Sequence, residues 1–267
     1  MKTRAVRPPA VAGMFYPSDP EELQVAVATC LAHARGTERV RGPVKALIAP
    51  HAGYVYSGPI AGSAYACLSP FRDRIRRVVL LGPSHRVGFR GIALSSAAAF
   101  RTPLGEAPLD DEINEALASL DAVVVYDRAH QDEHGLEVHL PFLQMTLASF
   151  TLAPIVVGDA SPREISGALE RVWGGPETLV VVSSDLSHYL PYDEAVRIDQ
   201  VTTEAIERLD VEGVGPEQAC GRLPVQGLLQ EAQRHHLTAT AVDVRNSGDT
   251  AGDKRQVVGY GAYVFTS

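Results

Sequence analysis

Three histidines and an aspartate follow short apolar runs at comparable places along the chain. These residues are His51, His85, Asp185 and His188. Imidazole is the commonest metal-ligand side chain, and a carboxylate can orient its second nitrogen. The pattern therefore predicts a site for one divalent metal ion, with acid–base groups beside it. Asp185 lies three residues before His188 and could either orient that imidazole or cap the turn after its strand.

Cys220 is the cysteine best suited to join such a site. It precedes Gly221 and Arg222 in a turn-like segment, whereas Cys30 and Cys67 lie in apolar, helix-like segments and are expected in the core. The neighbouring arginine could lower the pKa of the Cys220 thiol; a half-buried structural cysteine is the alternative. Three scattered cysteines do not suit a disulfide scaffold and favour a reducing cytoplasm, where a thiol stays free.

Residues 132–139 form a second polar cluster, with the sequence DEHGLEVH. His134 and Glu137 share a helix face if a helix begins early in this segment. The zinc-protease pattern, which needs two histidines four residues apart, is not met. Glu137 and His139 are therefore candidates for groups around a metal or a substrate, with an acidic, solvated helix start as the alternative.

Strand-like and helix-like segments alternate along the chain. Strands are predicted over residues 44–48, 78–81, 92–94, 122–126, 152–157, 179–182, 240–244 and 257–265. Helices are predicted over residues 20–31, 60–68, 110–120, 137–147, 162–172, 194–209 and 225–233. Asp19 and Ser161 are the expected N-caps of two of these helices, with Glu22 closing a capping box in the first. Polar loops are predicted over 130–135 and, as a mobile segment, over 246–255.

This alternation predicts an α/β fold in a single domain, residues 1–267. The sheet is expected to be mixed and mainly parallel, with helices on both faces. The two closing strands have no helix between them, so we expect part of the sheet to be antiparallel. Ligands of open α/β sheets bind beyond the carboxyl ends of the strands, which is where the histidines fall.

Several classes of function are disfavoured. The formal net charge is −8 and the basic residues are scattered, which argues against nucleic-acid binding. No apolar run reaches the length of a membrane span, and prolines and a glycine interrupt the apolar region that a signal peptide needs. The sequence contains no P-loop, no GxGxxG dinucleotide motif and no GxSxG nucleophile elbow.

Six short motifs match a known family in combination. They span residues 11–17 (VAGMFYP), 50–54 (PHAGY), 81–85 (LGPSH), 133–141 (EHGLEVHLP), 183–188 (SSDLSH) and 220–222 (CGR). With these motifs the chain resembles the Memo family (mediator of cell motility), in its prokaryotic branch, AmmeMemoRadiSam system protein B. The resemblance runs from near the N-terminus to the final strand.

The resemblance implies a fold shared with the class III, LigB-like extradiol dioxygenases, which are non-haem iron enzymes. It also implies a metal site formed by His51, His85 and Cys220, with Asp185 and His188 close by as catalytic candidates. Four further residues are expected near the metal or the substrate: His134, Glu137, His139 and Tyr54. In the dioxygenases the third ligand is a carboxylate, so the cysteine argues against ring cleavage. The family name implies an AMMECR1-like protein and a radical SAM enzyme as partners.

Two imidazoles and a thiolate suit iron(II), copper or zinc, and iron(II) is the expected cofactor. The first hypothesis is a redox enzyme that acts with oxygen on a small organic substrate, with His188 as general acid or base. The second is a non-enzymatic module that binds a metal or a partner protein. The third is a zinc hydrolase that uses a metal-bound water.

Overall fold

The structure is a computed structural model that describes residues 4–267, so residues 1–3 of the predicted domain lie outside it. Its strands are β1 (Val6–Arg7), β2 (Val44–Ala49), β3 (Arg77–Pro83), β4 (Ile92–Leu94), β5 (Ala99–Thr102), β6 (Gly105–Pro108), β7 (Val123–Val125), β8 (Thr151–Val157), β9 (Thr178–Ser183), β10 (His188–Leu190), β11 (Thr238–Asn246) and β12 (Val257–Thr266). Its α-helices are α1 (Pro20–Ala32), α2 (Tyr54–Ala66), α3 (Asp111–Ala118), α4 (Asp127–Gln131), α5 (His134–Glu137), α6 (Leu140–Thr146), α7 (Pro162–Val172), α8 (Tyr192–Glu207), α9 (Arg222–Arg234) and α10 (Ser247–Thr250).

Nine strands form one mixed sheet with a parallel centre. Their order is β10-β12-β2-β9-β3-β8-β4-β7, and β11 also pairs with β12. The four central strands β2, β9, β3 and β8 are parallel to one another. Antiparallel pairing begins on either side of them, at β12 and at β4. The predicted α/β fold with a mixed sheet is thus confirmed, and the antiparallel part of the sheet includes the pairing of the two closing strands, β11 and β12.

The side chains of the central strands alternate between two hydrophobic cores. In β2, Leu47 and Ala49 belong to one core, and Ala46 and Ile48 belong to the other. β3 and β9 alternate in the same way, because successive side chains of a strand point to opposite faces of its sheet. Residues of α1, α2 and α6 complete the first core, and residues of α3, α7 and α9 complete the second. Helices therefore cover both faces of the sheet, as predicted.

The helix caps follow the local sequence. The Asp19 side chain accepts hydrogen bonds from the backbone N–H groups of Glu21 and Glu22, which satisfies donors that the first turn of α1 cannot pair. The predicted return bond from the Glu22 side chain is not part of this cap. Ser161 and Glu164 form a complete capping box at the start of α7, whose predicted bounds match the structure.

The region around residues 127–147 differs from the prediction. The segment predicted as a loop contains the end of α4 and the start of α5, and the single helix predicted over 137–147 is replaced by α5 and α6. Pro141 lies in the first turn of α6, where its missing N–H is tolerated. In the middle of a longer helix it would interrupt the hydrogen-bond ladder.

Two short elements were also missed by the sequence. β5 and β6 form a hairpin that pairs with β1 in a small separate sheet. The predicted mobile loop begins instead with the end of β11 and with α10, where Asn246 and Asp249 form a capping box. Both elements are too short for hydrophobic periodicity to reveal. Among the helices of residues 4–267, none has the length and apolar character needed to cross a membrane.

Candidate metal centre

β2, β9 and β3 are neighbours in the sheet, so the residues that follow them meet at one edge. His51 follows β2, His85 follows β3, and Asp185 and His188 follow β9. The start of α5 brings His134 to the same place. His51, His85 and His134 each offer a ligand atom within 4.8 Å of the others, which is the spacing that one metal ion requires. Their ring centroids lie 4.6 to 5.5 Å apart.

His51 is buried and held on two sides. Its backbone N–H donates to Oδ1 of Asp185 at 2.8 Å. Its Nδ1 lies 2.6 Å from Oγ of Ser183, and that hydroxyl donates to the carbonyl oxygen of Gly135 at 2.5 Å. Because the hydroxyl proton is used by the carbonyl, Nδ1 of His51 must be the donor. The second nitrogen, Nε2, therefore keeps its lone pair for a ligand.

His85 is held in the same tautomer by a different residue. Its Nδ1 lies 2.8 Å from Oε1 of Glu133, and its backbone N–H donates to Oε2 of that carboxylate at 2.7 Å. Since an ionised carboxylate only accepts, Nδ1 carries the proton and Nε2 is free. Nδ1 of His134 lies 3.4 Å from the same Oε1, within ion-pair distance but without hydrogen-bond geometry.

Asp185 and His188 do not hydrogen-bond to each other, so the expected orienting role of Asp185 is not observed. Nδ1 of His188 instead donates to the backbone carbonyl of Leu186 at 2.8 Å. Burial raises the pKa of Asp185 to about 7, although the hydrogen bond from the backbone of His51 lowers it. Burial lowers the pKa of His188. Both side chains line the cavity that contains the histidine cluster.

Burial keeps His51 and His134 neutral. It lowers the pKa of His51 well below its ordinary value, and the neighbouring histidines lower it further. Burial also lowers the pKa of His134 to about 4, against the opposing effect of Glu133. Neutral imidazole is the form that binds a metal. At neutral pH these two side chains need lose no proton before binding.

Cys220 contacts the cluster at Nε2 of His51, the ring nitrogen that is left for a ligand. Its Sγ lies 3.3 Å from Nε2 of His51 and accepts from the backbone N–H of Asp185 at 3.3 Å. Within residues 4–267, the side chains close enough to share one metal ion are His51, His85 and His134, and Cys220 is not among them. The expected effect of Arg222 on the thiol is wrong: burial, with the charge of Asp185, raises the pKa of Cys220 to about 12. Arg222 instead donates to Gln226.

Glu137 anchors the N-terminal segment rather than facing the cavity. Its carboxylate is buried and accepts from the side chain of Arg7, the hydroxyl of Tyr16 and the backbone N–H groups of Ala10 and Val11. These bonds hold residues 10–16 beside the cluster. Phe15, in this segment, packs on His134 with ring centroids 4.8 Å apart.

Tyr54 and His139 are also buried behind the cluster. The Tyr54 hydroxyl donates to the carbonyl of Val138 at 2.7 Å, and the tyrosine N–H donates to the carbonyl of Phe15. Nδ1 of His139 lies 2.9 Å from the hydroxyl of Tyr65, and burial lowers the pKa of His139 to about 3. Neither residue lines the cavity. Their contacts are those of residues that support the loops of the site.

An open cavity of about 1040 Å³ leads from solvent to the histidines. Its walls include Phe15, Tyr56, Tyr189 and Tyr260. Tyr189 is unusual because it is 69% exposed and has a φ of 57°, a left-handed conformation that costs a non-glycine residue free energy. The exposed pair Asp253 and Arg255 lines another part of the cavity.

The residues present fit a divalent metal. Three imidazoles that are close together, with Nδ1 of His51 and His85 already committed to protein acceptors, form a donor set suited to iron(II), copper or zinc. The hydrogen bonds behind the rings of His51 and His85 are typical of metal-ligating histidines.

Sequence reasoning missed Glu133 and Ser183 as parts of the site. Both lie inside the motifs noted above, but their partners are 48 and 132 residues away along the chain. His134 was expected near the metal, yet no pattern indicated that it would join His51 and His85 as a potential ligand. Their positions in the elements were the one indication: Ser183 is the last residue of β9, at the edge where the histidines lie, and Glu133 is the N-cap of α5, directly before His134.

Comparison with known proteins identifies the family. The model of the family described as Memo-like protein matches residues 7–264. The chain belongs to the Memo family. The MEMO1 family protein of Sulfolobus acidocaldarius is 35% identical over 96% of this chain and 97% of the relative. That of Aquifex aeolicus is 36% identical over 97% of this chain and 99% of the relative. The motif-based assignment to Memo is thereby confirmed.

A solved structure resembles this Memo-family chain in fold. The crystal structure of the uncharacterized protein JW3007 from Escherichia coli K12 aligns with a TM-score of 0.55 and 15% identity, covering 85% of this chain and 100% of that chain. At this identity the likeness shows the fold alone. It agrees with an α/β architecture shared beyond the close relatives.

Proposed function

We propose that this Memo-family protein binds one divalent metal ion, iron(II) in its native state, and acts with oxygen on a small organic substrate. The observation that carries the proposal is the group of three imidazoles, His51, His85 and His134, within 4.8 Å of one another. Burial holds His51 and His134 neutral, and the bonds at Nδ1 leave Nε2 of His51 and of His85 unprotonated.

Two residues compete for the third ligand position beside His51 and His85. His134 is favoured because its ligand atom lies within 4.8 Å of those of His51 and His85 and because its imidazole is neutral. Cys220 is favoured by the family resemblance and by its contact with Nε2 of His51 at 3.3 Å. A thiolate there would place a negative charge on a site of neutral donors. Either set suits iron(II), copper or zinc.

When bound, iron(II) with open coordination positions supplies redox chemistry with oxygen. The residues of the chain supply positioning and proton transfer. His188, whose Nδ1 donates to the Leu186 carbonyl and whose pKa burial lowers, has a free Nε2 that can accept a proton from a substrate. Asp185, with a pKa raised to about 7, can hold or release a proton near neutral pH.

The cavity favours a substrate with an apolar body and little charge. Aromatic and aliphatic side chains contribute much of its wall, and among the described residues that line it Arg255 is the one arginine or lysine. Asp253 pairs with that guanidinium at 2.7 Å. Polyanions such as nucleotides would therefore meet little compensating charge. The volume of about 1040 Å³ accommodates a small organic molecule.

Metal analysis after purification without oxygen tests the proposal. We expect about one iron per chain in the wild type and little in His51→Ala. His134→Ala and Cys220→Ala, measured together, identify the third ligand by which of them loses the metal. His33→Ala is the matched control, because His33 is exposed and its Nδ1 contacts the Thr29 carbonyl within its own helix.

The outcomes separate the hypotheses. Iron that depends on His51, together with oxygen uptake on a substrate panel, supports the redox enzyme. Zinc with hydrolysis that needs no oxygen supports a zinc hydrolase instead. No metal in the wild type after reconstitution with iron(II), copper or zinc overturns the proposal.

A second candidate function is a metal-bearing module that meets a partner protein. It is favoured by one observation: four exposed large apolar side chains surround the cavity mouth, namely Met14, Val55, Tyr56 and Tyr189. Exposed apolar patches of this kind mark interaction sites. An AMMECR1-like protein and a radical SAM enzyme are the partners to test, by titration against wild type and Val55→Glu. Equal affinity of the two chains, or no binding to either, contradicts it.

A further inference from the structure

Glu133 is a buried carboxylate at the centre of the histidine cluster. It is 1% exposed. Its Oε1 accepts from Nδ1 of His85 and from the backbone N–H of Gly135, both at 2.8 Å, and lies 3.4 Å from Nδ1 of His134. Its Oε2 accepts from the backbone N–H of His85 at 2.7 Å. One side chain thus contacts two of the three candidate ligands.

Within residues 4–267, no lysine or arginine side chain pairs with the carboxylate of Glu133. Among residues 4–267, its ion-pair contacts are with His85 and His134, which must both be neutral to bind a metal. Glu137, one turn further along, is equally buried but pairs with Arg7. A buried carboxylate without a cation is costly, so the surroundings of Glu133 favour a cation bound close by.

The packing leaves Glu133 little freedom. A Cβ atom on Gly135 would lie 3.1 Å from Oε1 of Glu133, 3.5 Å from Cε1 of His85 and 3.6 Å from Nδ1 of His51. The absence of a side chain at residue 135 lets the carboxylate and the two rings come together. The tautomer of His85 follows, because Nδ1 must donate to a carboxylate that cannot donate in return.

We infer that Glu133 is the positioning residue of the proposed metal centre. It fixes His85 with Nε2 free, steers His134, and supplies the negative charge that a set of neutral imidazoles lacks. This rests on the proposed function, because it concerns the ion that His51 and His85 would share with His134 or Cys220. Outer carboxylates of this kind raise the basicity of a histidine ligand and change metal affinity by about 10- to 100-fold.

A purely structural role is the alternative. Glu133 is also the N-cap residue of α5, since its side chain accepts from the N–H of Gly135. As a cap alone, it would affect folding but not the affinity of the folded protein for a metal. A measurement of affinity, made apart from stability, therefore separates the two roles.

The test is anaerobic titration of the full chain with cobalt(II), followed by its visible absorption bands, for wild type, Glu133→Gln and Glu133→Asp. We expect the Kd to rise about 10- to 100-fold in Glu133→Gln, and less in Glu133→Asp, which keeps the charge. Glu231→Gln is the matched control, because Glu231 is an equally buried glutamate that contacts Ser166 and Arg234. Its Kd should match that of the wild type.

Nuclear magnetic resonance of the ring nitrogens of wild-type His85 gives a second test that needs no variant. The inference requires a protonated Nδ1 and an unprotonated Nε2, both in the metal-free and in the zinc-loaded protein. A proton on Nε2, or an unchanged cobalt Kd in folded Glu133→Gln, overturns the role of Glu133. Failure of wild type to bind cobalt, zinc or iron instead overturns the metal site itself.

Discussion

The two ends of the same strands differ in how their polar groups are used. Lys45 is the second residue of β2, and His51 follows the end of that strand. Arg77 is the first residue of β3, and His85 follows the end of that strand. At the starting ends, the Lys45 ammonium donates to the backbone carbonyls of Trp173, Gly175 and Thr178. The Arg77 guanidinium pairs with the carboxylates of Asp110 and Glu112. At the carboxyl ends, the histidines keep one nitrogen free. Polar side chains whose donors are all paired within the protein stabilise the fold. A histidine with only one ring nitrogen hydrogen-bonded to the protein can use the other to bind a ligand.

The difference has an energetic origin. A buried polar atom without a hydrogen-bond partner lowers the stability of the fold. Such an atom is therefore expected where a ligand or a metal ion can become its partner. Within residues 4–267, the buried Nδ1 of His134 has no hydrogen-bond partner, and Tyr189 has a strained backbone at the cavity wall. Both features lie at the carboxyl edge. The predictions below test whether changes at the two edges affect binding and stability separately.

The largest effect is expected from His85→Ala at the carboxyl edge. Removing this candidate ligand should raise the Kd for cobalt(II) by about 100-fold or more, since even indirect changes around metal sites cost 10- to 100-fold. The metal-free protein should also lose about 1–3 kcal/mol of unfolding free energy, because the buried carboxylate of Glu133 loses the hydrogen bond from Nδ1 of His85. Titration and urea unfolding measure the two quantities. Loss of stability with unchanged affinity would make His85 structural.

The pH dependence of metal affinity should report the role of Cys220. Burial raises the pKa of this thiol to about 12 and lowers that of His134 to about 4. A thiol ligand must lose its proton, so the affinity should rise about tenfold per pH unit between about pH 6 and pH 8. His51 and His134 should add no such slope there, because both are already neutral.

Two variants control that titration. Asp185 has a pKa raised to about 7, so its own ionisation falls within the same window and Asp185→Asn removes it. Cys220→Ala removes the thiol. A slope that survives Cys220→Ala cannot come from the cysteine and would exclude it as the source.

At the opposite edge, Lys45→Met should lower stability without affecting the metal. Nζ of Lys45 donates to the carbonyls of Trp173, Gly175 and Thr178 at 2.5, 3.0 and 2.8 Å. Methionine leaves these acceptors unpaired, at a cost of about 1–3 kcal/mol in the free energy of unfolding. Urea unfolding measures the loss of stability, and cobalt titration measures the Kd, which should stay unchanged. A changed cobalt Kd would mean that the two edges are coupled.

The smallest effect is expected at Tyr189, where strain can be relieved. Its φ of 57° suits glycine, so Tyr189→Gly should raise the free energy of unfolding by about 0.5 to 1 kcal/mol after the entropy cost of glycine. Tyr189→Ala removes the ring but keeps the strained backbone, and it should show no such gain. Equal stability of the two variants would indicate that no strain is stored there.

Much of the fold could be predicted, because strands and helices have different hydrophobic periods. β4 and α7 have the bounds expected from the sequence, and other central strands differ by a residue or two. The prediction was wrong over residues 130–147, where tertiary bonds of Glu133 and Glu137 and the position of Pro141 divide one expected helix into two. Local patterns carry no information about partners that are distant in sequence.

The sequence by itself determined the family, the alternation of strands and helices, and the delivery of His51, His85 and Asp185 to one edge. This follows because parallel strands place their carboxyl ends together. Tertiary structure decided which side chains share a space. It brought His134 beside His51 and His85, placed Glu133 against Nδ1 of His85 and Ser183 against Nδ1 of His51, and placed Cys220 beside Nε2 of His51. These contacts depend on strand order and loop packing, which join residues that no local pattern relates.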